Sequence, residues 1–228
     1  MNTLEHTACY QLFARTFPFW AGLPEAEKRF LCQHTATATY QKGQNIHGGS
    51  GECTGCIVVK SGCVRAYLLS EEGREVTLYR LYPGDLCMLS ASCVLQAITF
   101  DVLIDAEEES CCHIIAGGAF AQLAARQLEV ENFALGVAVS RFSDVMWVMQ
   151  QILFMSYDKR LAIFLWDEMV KTGSTHLPLT QGQVAKYTGS AREVVSRMLK
   201  YFASEGIVTH GRGGIDITDR EKLRSLTV

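Results

Sequence analysis

Thr180-Gln-Gly-Gln-Val-Ala-Lys-Tyr-Thr-Gly-Ser-Ala-Arg-Glu-Val-Val-Ser-Arg-Met-Leu-Lys-Tyr-Phe202 reads as two short helices joined by a tight turn. Thr180 is a good N-cap for the first helix, and Gly189 with Ser190 makes the turn and caps the second. The second helix places Arg192, Glu193, Ser196 and Arg197 at i, i+1, i+4 and i+5, one exposed face, with apolar residues on the other. That chemistry suits base reading: arginine forks onto guanine O6 and N7, and a carboxylate accepts from cytosine N4. The expectation is a sequence-specific DNA-binding regulator.

The flanking sequence extends the pattern. Gly206 ends the second helix, after which Ile207-Val208, Gly211 to Gly214 and Ile215-Asp216-Ile217 predict a small β-hairpin, a wing. Upstream, Tyr157 to Lys171 is an amphipathic helix ending before Gly173. Further upstream, Leu135, Ala138, Phe142, Val145, Met149 and Ile152 are spaced 3, 4, 3, 4 and 3, a heptad seam that predicts a parallel homodimer. From Thr39 to Ile115 the grain changes to short Val-, Ile-, Tyr- and Thr-rich segments divided by Gly, Pro and Asp. Such spacing predicts a compact antiparallel barrel or sandwich, and Val64–Leu69 with Arg74–Leu81 is its clearest hairpin. Leu4 to His34 is helical in pattern, broken at Pro18 and at Gly22-Leu23-Pro24.

A chain of 228 residues has room for one large domain or two modest ones. The net charge of −3 hides an asymmetry: from Ser156 onward 11 basic residues face 8 acidic ones, while the preceding part carries 10 against 16. A basic C-terminal third beside an acidic body fits a nucleic-acid-reading module on a sensing one. No apolar run of membrane-spanning length and no basic-then-apolar leader occurs, so the expected location is the cytoplasm, with no membrane partner. Nine cysteines, an odd number, leave free thiols, metal ligation or redox sensing open rather than a disulfide framework.

These motifs resemble the Crp/Fnr superfamily of bacterial transcription regulators from about Gln11 onward. The resemblance rests first on the helix-turn-helix, Leu179 to Ala185 and Gly189 to Leu199 followed by Glu205-Gly206-Ile207-Val208. It rests next on Val58-Val59-Lys60-Ser61-Gly62-Cys63-Val64-Arg65, Glu72-Gly73-Arg74-Glu75 and Pro83-Gly84-Asp85, and last on the long intervening helix. It implies an α+β protein: a β-roll sensor with N-terminal helices at 1–127, a dimerisation helix at 128–155 and a winged helix-turn-helix at 156–228. Glu193, Ser196 and Arg197 look like the Fnr branch, which reads a TTGAT-like half-site; Arg192, Glu193 and Arg197 also satisfy the cyclic-AMP-receptor pattern, which favours TGTGA. Backbone contacts are expected from Thr180, Ser190, Lys200 and Arg212. RNA polymerase would be a partner if the protein activates.

Several signals remain open. Family members that bind cyclic AMP carry Gly-Glu and Arg-Ser or Arg-Thr after the Gly-Asp turn, whereas Leu86 to Phe100 contains no charge. An uncompensated phosphate there would be costly, which argues against a cyclic nucleotide and for an uncharged or small organic ligand near Leu89, Ser90 and Ser92. Cys53, Cys56 and Cys63 are candidate ligands for a metal or iron–sulfur cluster, with Cys87, Cys93, Cys111 or Cys112 as a fourth. The N-terminal cysteine cluster of the Fnr iron–sulfur site has no counterpart, since only Cys9 and Cys32 lie there. His47, His113 and the cysteines are the candidate haem ligands. The competing function is a thiol redox protein or oxidoreductase using Cys53 and Cys56, although that motif enters β-patterned sequence rather than opening a helix.

Overall fold

The structure is a computed structural model that describes residues 3–48, 53–88 and 102–228, with the side chains of the first helix described from residue 9. Two compact units emerge: 1–68 with 78–145, and 69–77 with 146–228.

The first unit opens with helix α1 (Thr3–Thr16), a 3-10 turn at Pro18–Gly22 and helix α2 (Glu25–Gln33). Among the described residues eight strands follow: β1 (Thr35–Tyr40), β2 (Asn45–His47), β3 (Cys56–Ser61), β4 (Val64–Leu69), β5 (Glu75–Leu81), β6 (Leu86–Cys87), β7 (Leu103–Ala106) and β8 (Ser110–Ile115). They form two four-stranded sheets ordered β1-β8-β3-β6 and β2-β7-β4-β5, with β1–β8, β3–β8, β3–β6, β2–β7 and β4–β7 paired antiparallel. The run Cys56-Ile-Val-Val59 shows why the sheets pack as they do. Cys56 and Val58 join the aromatic cluster of Phe13, Phe17, Trp20 and Phe120 on the helical side, while Ile57 and Val59 join Val64, Ala66, Ile104 and Cys112 on the other. A strand buried on both faces reads as an uninterrupted apolar run rather than an alternating one. Arg65 on β4 is nearly buried, and its guanidinium lies 3.3 Å from Glu107, 3.9 Å from Asp105 and 4.0 Å over the Tyr67 ring. With two carboxylates this cation is compensated and holds strand edges together.

Helix α3 (Gly117–Arg126) leads into α4 (Leu128–Phe154), 27 residues long. Val130 and Ala134 are buried in the helical-side cluster, and Val145 packs on the cluster between the sheets. Leu135, Val139, Phe142, Met146, Met149 and Leu153 remain exposed, spaced 4, 3, 4, 3 and 4. This row overlaps the predicted seam only in part. Leu135, Phe142 and Met149 keep their places, but Ala138 and Val145 are half-buried, and Ile152 lies about 100° around the helix from Leu153 at 3.6 residues per turn. The cause is that α4 is apolar nearly all round. Two heptad registers are written into it, and the one facing Val145 is already occupied by its own sheet.

The second unit holds α5 (Tyr157–Thr172), β9 (His176–Leu177), α6 (Gln181–Thr188), α7 (Arg192–Ser204), β10 (Val208–Gly211), β11 (Gly214–Ile217) and α8 (Arg220–Ser225). Its core joins Leu161 and Leu165 of α5, Val184 of α6, Val195, Leu199 and Phe202 of α7, and Ile215 and Leu223. The sheet runs β10-β11-β9. Gly214 has φ +138°, and a Cβ there would meet the Leu177 carbonyl oxygen at 2.3 Å, so only glycine lets β11 approach β9.

Candidate nucleic-acid interface

Helix α6 starts on a full capping box: Thr180 accepts from the Gln183 amide, while the Gln183 side chain accepts from the Thr180 amide at 2.9 Å. It ends at Gly189, in the left-handed region at φ +60°, and the Ser190 amide returns to the Ala185 carbonyl at 2.9 Å. Helix α7 then begins at Arg192 with Ala191 as N-cap and no side-chain cap. Ser190 therefore does not cap α7. It is half-buried, with its hydroxyl hydrogen-bonded to Tyr157, because the turn spends one more residue than expected before the helix starts.

Val195, Leu199 and Phe202 are fully buried, each worth about 1.5–3 kcal/mol of burial, and they fix the rotation of α7. The opposite face then presents Arg192, Glu193 and Arg197 to solvent, with Ser196 half-buried between them and Lys200 exposed one turn on. Gln181, Arg192, Glu193 and Ser196 line a shallow recess of about 330 Å³. A broader groove of about 670 Å³ runs from Thr180, Gln181 and Arg192 to His210 and Arg212 on the wing turn. Gln181 and His210 were not singled out from sequence. Gln181 could have been, as the first residue after a cap that faces the second helix. His210 becomes visible only when the hairpin is paired. His176 on β9 lies 2.7 Å from Asp216 on β11, tying the wing's third strand. Lys186 of α6 pairs with Glu75 at 2.8 Å, and Thr77 donates to the Lys186 carbonyl at 3.1 Å.

The sensor candidates are placed differently. Leu89, Ser90 and Ser92 lie outside the described residues, as does Cys93. Cys53 is exposed and disulfide-bonded. Cys56 and Cys63 are buried free thiols, Cys56 within the helical-side cluster. Among the described residues no group of three or more His, Cys, Asp or Glu could hold a metal ion, so Cys53, Cys56 and Cys63 are not brought together as a ligand set. Burial, reinforced by Cys87, pushes the Cys56 thiol well above its usual range, the reverse of what a thiol nucleophile needs. His47 on β2 and His113 on β8 belong to different sheets. Each meets a threonine through Nδ1 at 2.8 Å, Thr54 and Thr37 respectively, a structural arrangement for both.

Among the described residues no helix is long and apolar enough to cross a membrane. Residues 159–226 match the Crp-like helix-turn-helix domain, which covers α5 through α8. The fumarate and nitrate reduction regulatory protein of Yersinia pestis is 26% identical over 197 residues, 82% of this chain and 76% of that one. FixK2 from Bradyrhizobium japonicum shares the fold, with a TM-score of 0.70 over 85% of this chain and 98% of its own at 20% identity. A crystal structure from Eubacterium rectale ATCC 33656, described as a transcriptional regulator of the crp/fnr family, is 42% identical, with a TM-score of 0.87 over 93% of this chain and 98% of that one. Likeness of that extent, carried through both the β-sheets and the helix-turn-helix, makes this chain a member of the Crp/Fnr family of transcription regulators, with a helix-turn-helix DNA-binding domain at its C-terminal end.

Proposed function

We propose that the protein works as a homodimer on an inverted-repeat operator, with α7 of each subunit in a major groove. The observation that carries this is the exposed face of Arg192, Glu193, Ser196 and Arg197 over the buried Val195–Leu199–Phe202 face. Arg192 and Arg197 would take guanine edges, Glu193 a cytosine N4, and Ser196 either base. Thr180 and the α6 amides, Lys200, and Arg212 on the wing would hold phosphates and set register. Ser190 is left a smaller part, because its hydroxyl is engaged with Tyr157. Dimerisation would use Leu135, Val139, Phe142, Met146, Met149 and Leu153, a heptad stripe of exposed apolar side chains on one helix that a second copy covers symmetrically. In this reading the protein is cytoplasmic, a non-nucleotide signal at the β-roll shifts α4 and reorients the recognition helices, and RNA polymerase is engaged where the operator position makes it an activator.

The test is fluorescence anisotropy against three duplexes: a TTGAT inverted repeat, a TGTGA inverted repeat and a scrambled sequence, each at several salt concentrations. The expected result is tightest binding to one of the two repeats, with a steep loss of affinity as salt rises. Equal affinity for all three duplexes refutes base reading by α7.

A further inference from the structure

The second unit contains a cation that no carboxylate neutralises among the described residues. On α5, Arg160, Ile163, Phe164 and Asp167 stand at i, i+3, i+4 and i+7, one face of the helix. With Val76, Val148, Ile152, Tyr187 and Gly189 they line a cavity of about 110 Å³. Arg160 donates from one terminal nitrogen to the Thr188 carbonyl at 3.2 Å, and its guanidinium carbon lies 5.2 Å from the Tyr157 ring. Its Nε is buried without a hydrogen-bond partner. Burial draws its proton affinity below the ordinary guanidinium value; Tyr157 opposes the shift, the like charge of Arg74 adds to it, and among the described residues no carboxylate takes part. Arg65 shows the contrast: it is more deeply buried and has two carboxylates. A half-buried cation with an unpartnered Nε, lining a cavity of mixed polar and apolar side chains, is a place for an anion.

We propose that this cavity binds a small organic monoanion, with its carboxylate on Arg160 and a compact apolar body against Val76, Val148, Ile163 and Phe164. The volume is too small for a nucleotide. Asp167 limits the charge of the ligand: it lies two turns along α5, about 10 Å from Arg160, and repels a second anionic group. Burial, then Glu168, raise its carboxyl above the usual range. The site goes beyond operator reading and does not depend on it. Because Gly189 forms both the cavity wall and the turn between the two helices of the DNA-reading motif, occupancy acts where α7 is set.

The experiment is isothermal titration calorimetry on the full chain without DNA, using benzoate, with benzamide, terephthalate and inorganic phosphate as comparisons. Benzoate is expected to bind, and benzamide and terephthalate at least tenfold more weakly, at magnitudes on the order of one charged hydrogen bond. Arg160→Gln should abolish binding, and Ile163→Phe, which fills the cavity, should do the same with Arg160 intact. Arg74→Ala, on an exposed position where folding is not in question, should weaken benzoate severalfold. No heat with benzoate, equal affinity for benzamide, or full binding by Arg160→Gln overturns the proposal. Phosphate binding without benzoate binding overturns it too, since the apolar wall would then play no part. Because no DNA is present, these outcomes stand apart from those of the operator test.

Discussion

Replacing Val139 and Met146 together by alanine separates the two heptad registers written into α4. Val139 is 68% exposed and Met146 44% exposed, and full burial of such a side chain is worth about 1.5–3 kcal/mol. Covering those exposed fractions yields about 1 kcal/mol for each side chain, hence about 4 kcal/mol over two residues in two subunits. Alanine retains its own Cβ contacts, so the expected loss is about 3 kcal/mol, a rise in dimer Kd of about a hundredfold. Alanine favours helix, so α4 itself is preserved. Val145→Ala is the control: Val145 packs on the cluster between the sheets, so it should cost about 1–2 kcal/mol of unfolding stability and leave the dimer Kd unchanged. Sedimentation equilibrium gives the first quantity and urea unfolding the second. If Val145→Ala weakens the dimer more than the double variant does, the exposed stripe is not the dimer seam. A wild-type chain that stays monomeric at high concentration has the same force.

Four further outcomes follow. Arg197→Ala should lose about 1–3 kcal/mol of discrimination at one base position; a uniform loss over every single-base operator variant, read by anisotropy, contradicts a base-reading role. Thr180→Ala removes the hydroxyl that accepts from the Gln183 amide, leaving the backbone bond to the Gln183 side chain, and should lower stability by about 0.5–2 kcal/mol, seen as a lower urea midpoint at constant m-value. Burial, then Lys60, hold the His113 pKa below its usual value. The folded state therefore disfavours the proton, and stability is full above about pH 6.5 and declines as pH falls below it; Tm measured from pH 8 to 5 should show that slope, reduced in His113→Gln. Cys111 is half-exposed, whereas Cys56 and Cys112 are buried, with burial first and then Cys111 pushing the Cys112 thiol up to about 12. Mass-spectrometric mapping after brief alkylation at pH 8 should find Cys111 modified and Cys56 and Cys112 intact.

The helix-turn-helix was legible because each of its signals is local. A threonine cap with glutamine three residues on, a glycine in the left-handed region and an apolar i, i+3, i+4 pattern decide α6 and α7 without knowledge of the rest of the chain. The β-roll was legible from its punctuation, but not which face of Cys56–Val59 met which layer, since both were apolar. Strand β9 went unseen: two residues, His176 and Leu177, carry no periodicity, and their pairing with Asp216 and Ile215 is set by distant sequence. The α4 seam was legible only as two competing rows, for a related reason. Apolar residues ring that helix, and only the sheet that covers Val145 shows which row is left over. That Cys53, Cys56 and Cys63 do not group together among the described residues was likewise not legible, since it depends on how distant strands pair.

The tip of the β4–β5 hairpin has a consequence for how such regulators diversify. Residues 69–77 group with the C-terminal unit, where Glu75 pairs with Lys186 and Thr77 holds the Lys186 carbonyl, although β4 begins and β5 ends in the sensor. The DNA-reading part is thus discontinuous in the gene: nine codons of it lie inside the sequence of the other unit. A recombination event, natural or in the laboratory, that exchanges everything after Met146 delivers a helix-turn-helix whose Lys186 meets a stranger's hairpin. Functional chimeras should be those that carry positions 69–77 along with the C-terminal segment, so that heredity of operator specificity in this architecture is tied to a short stretch far upstream.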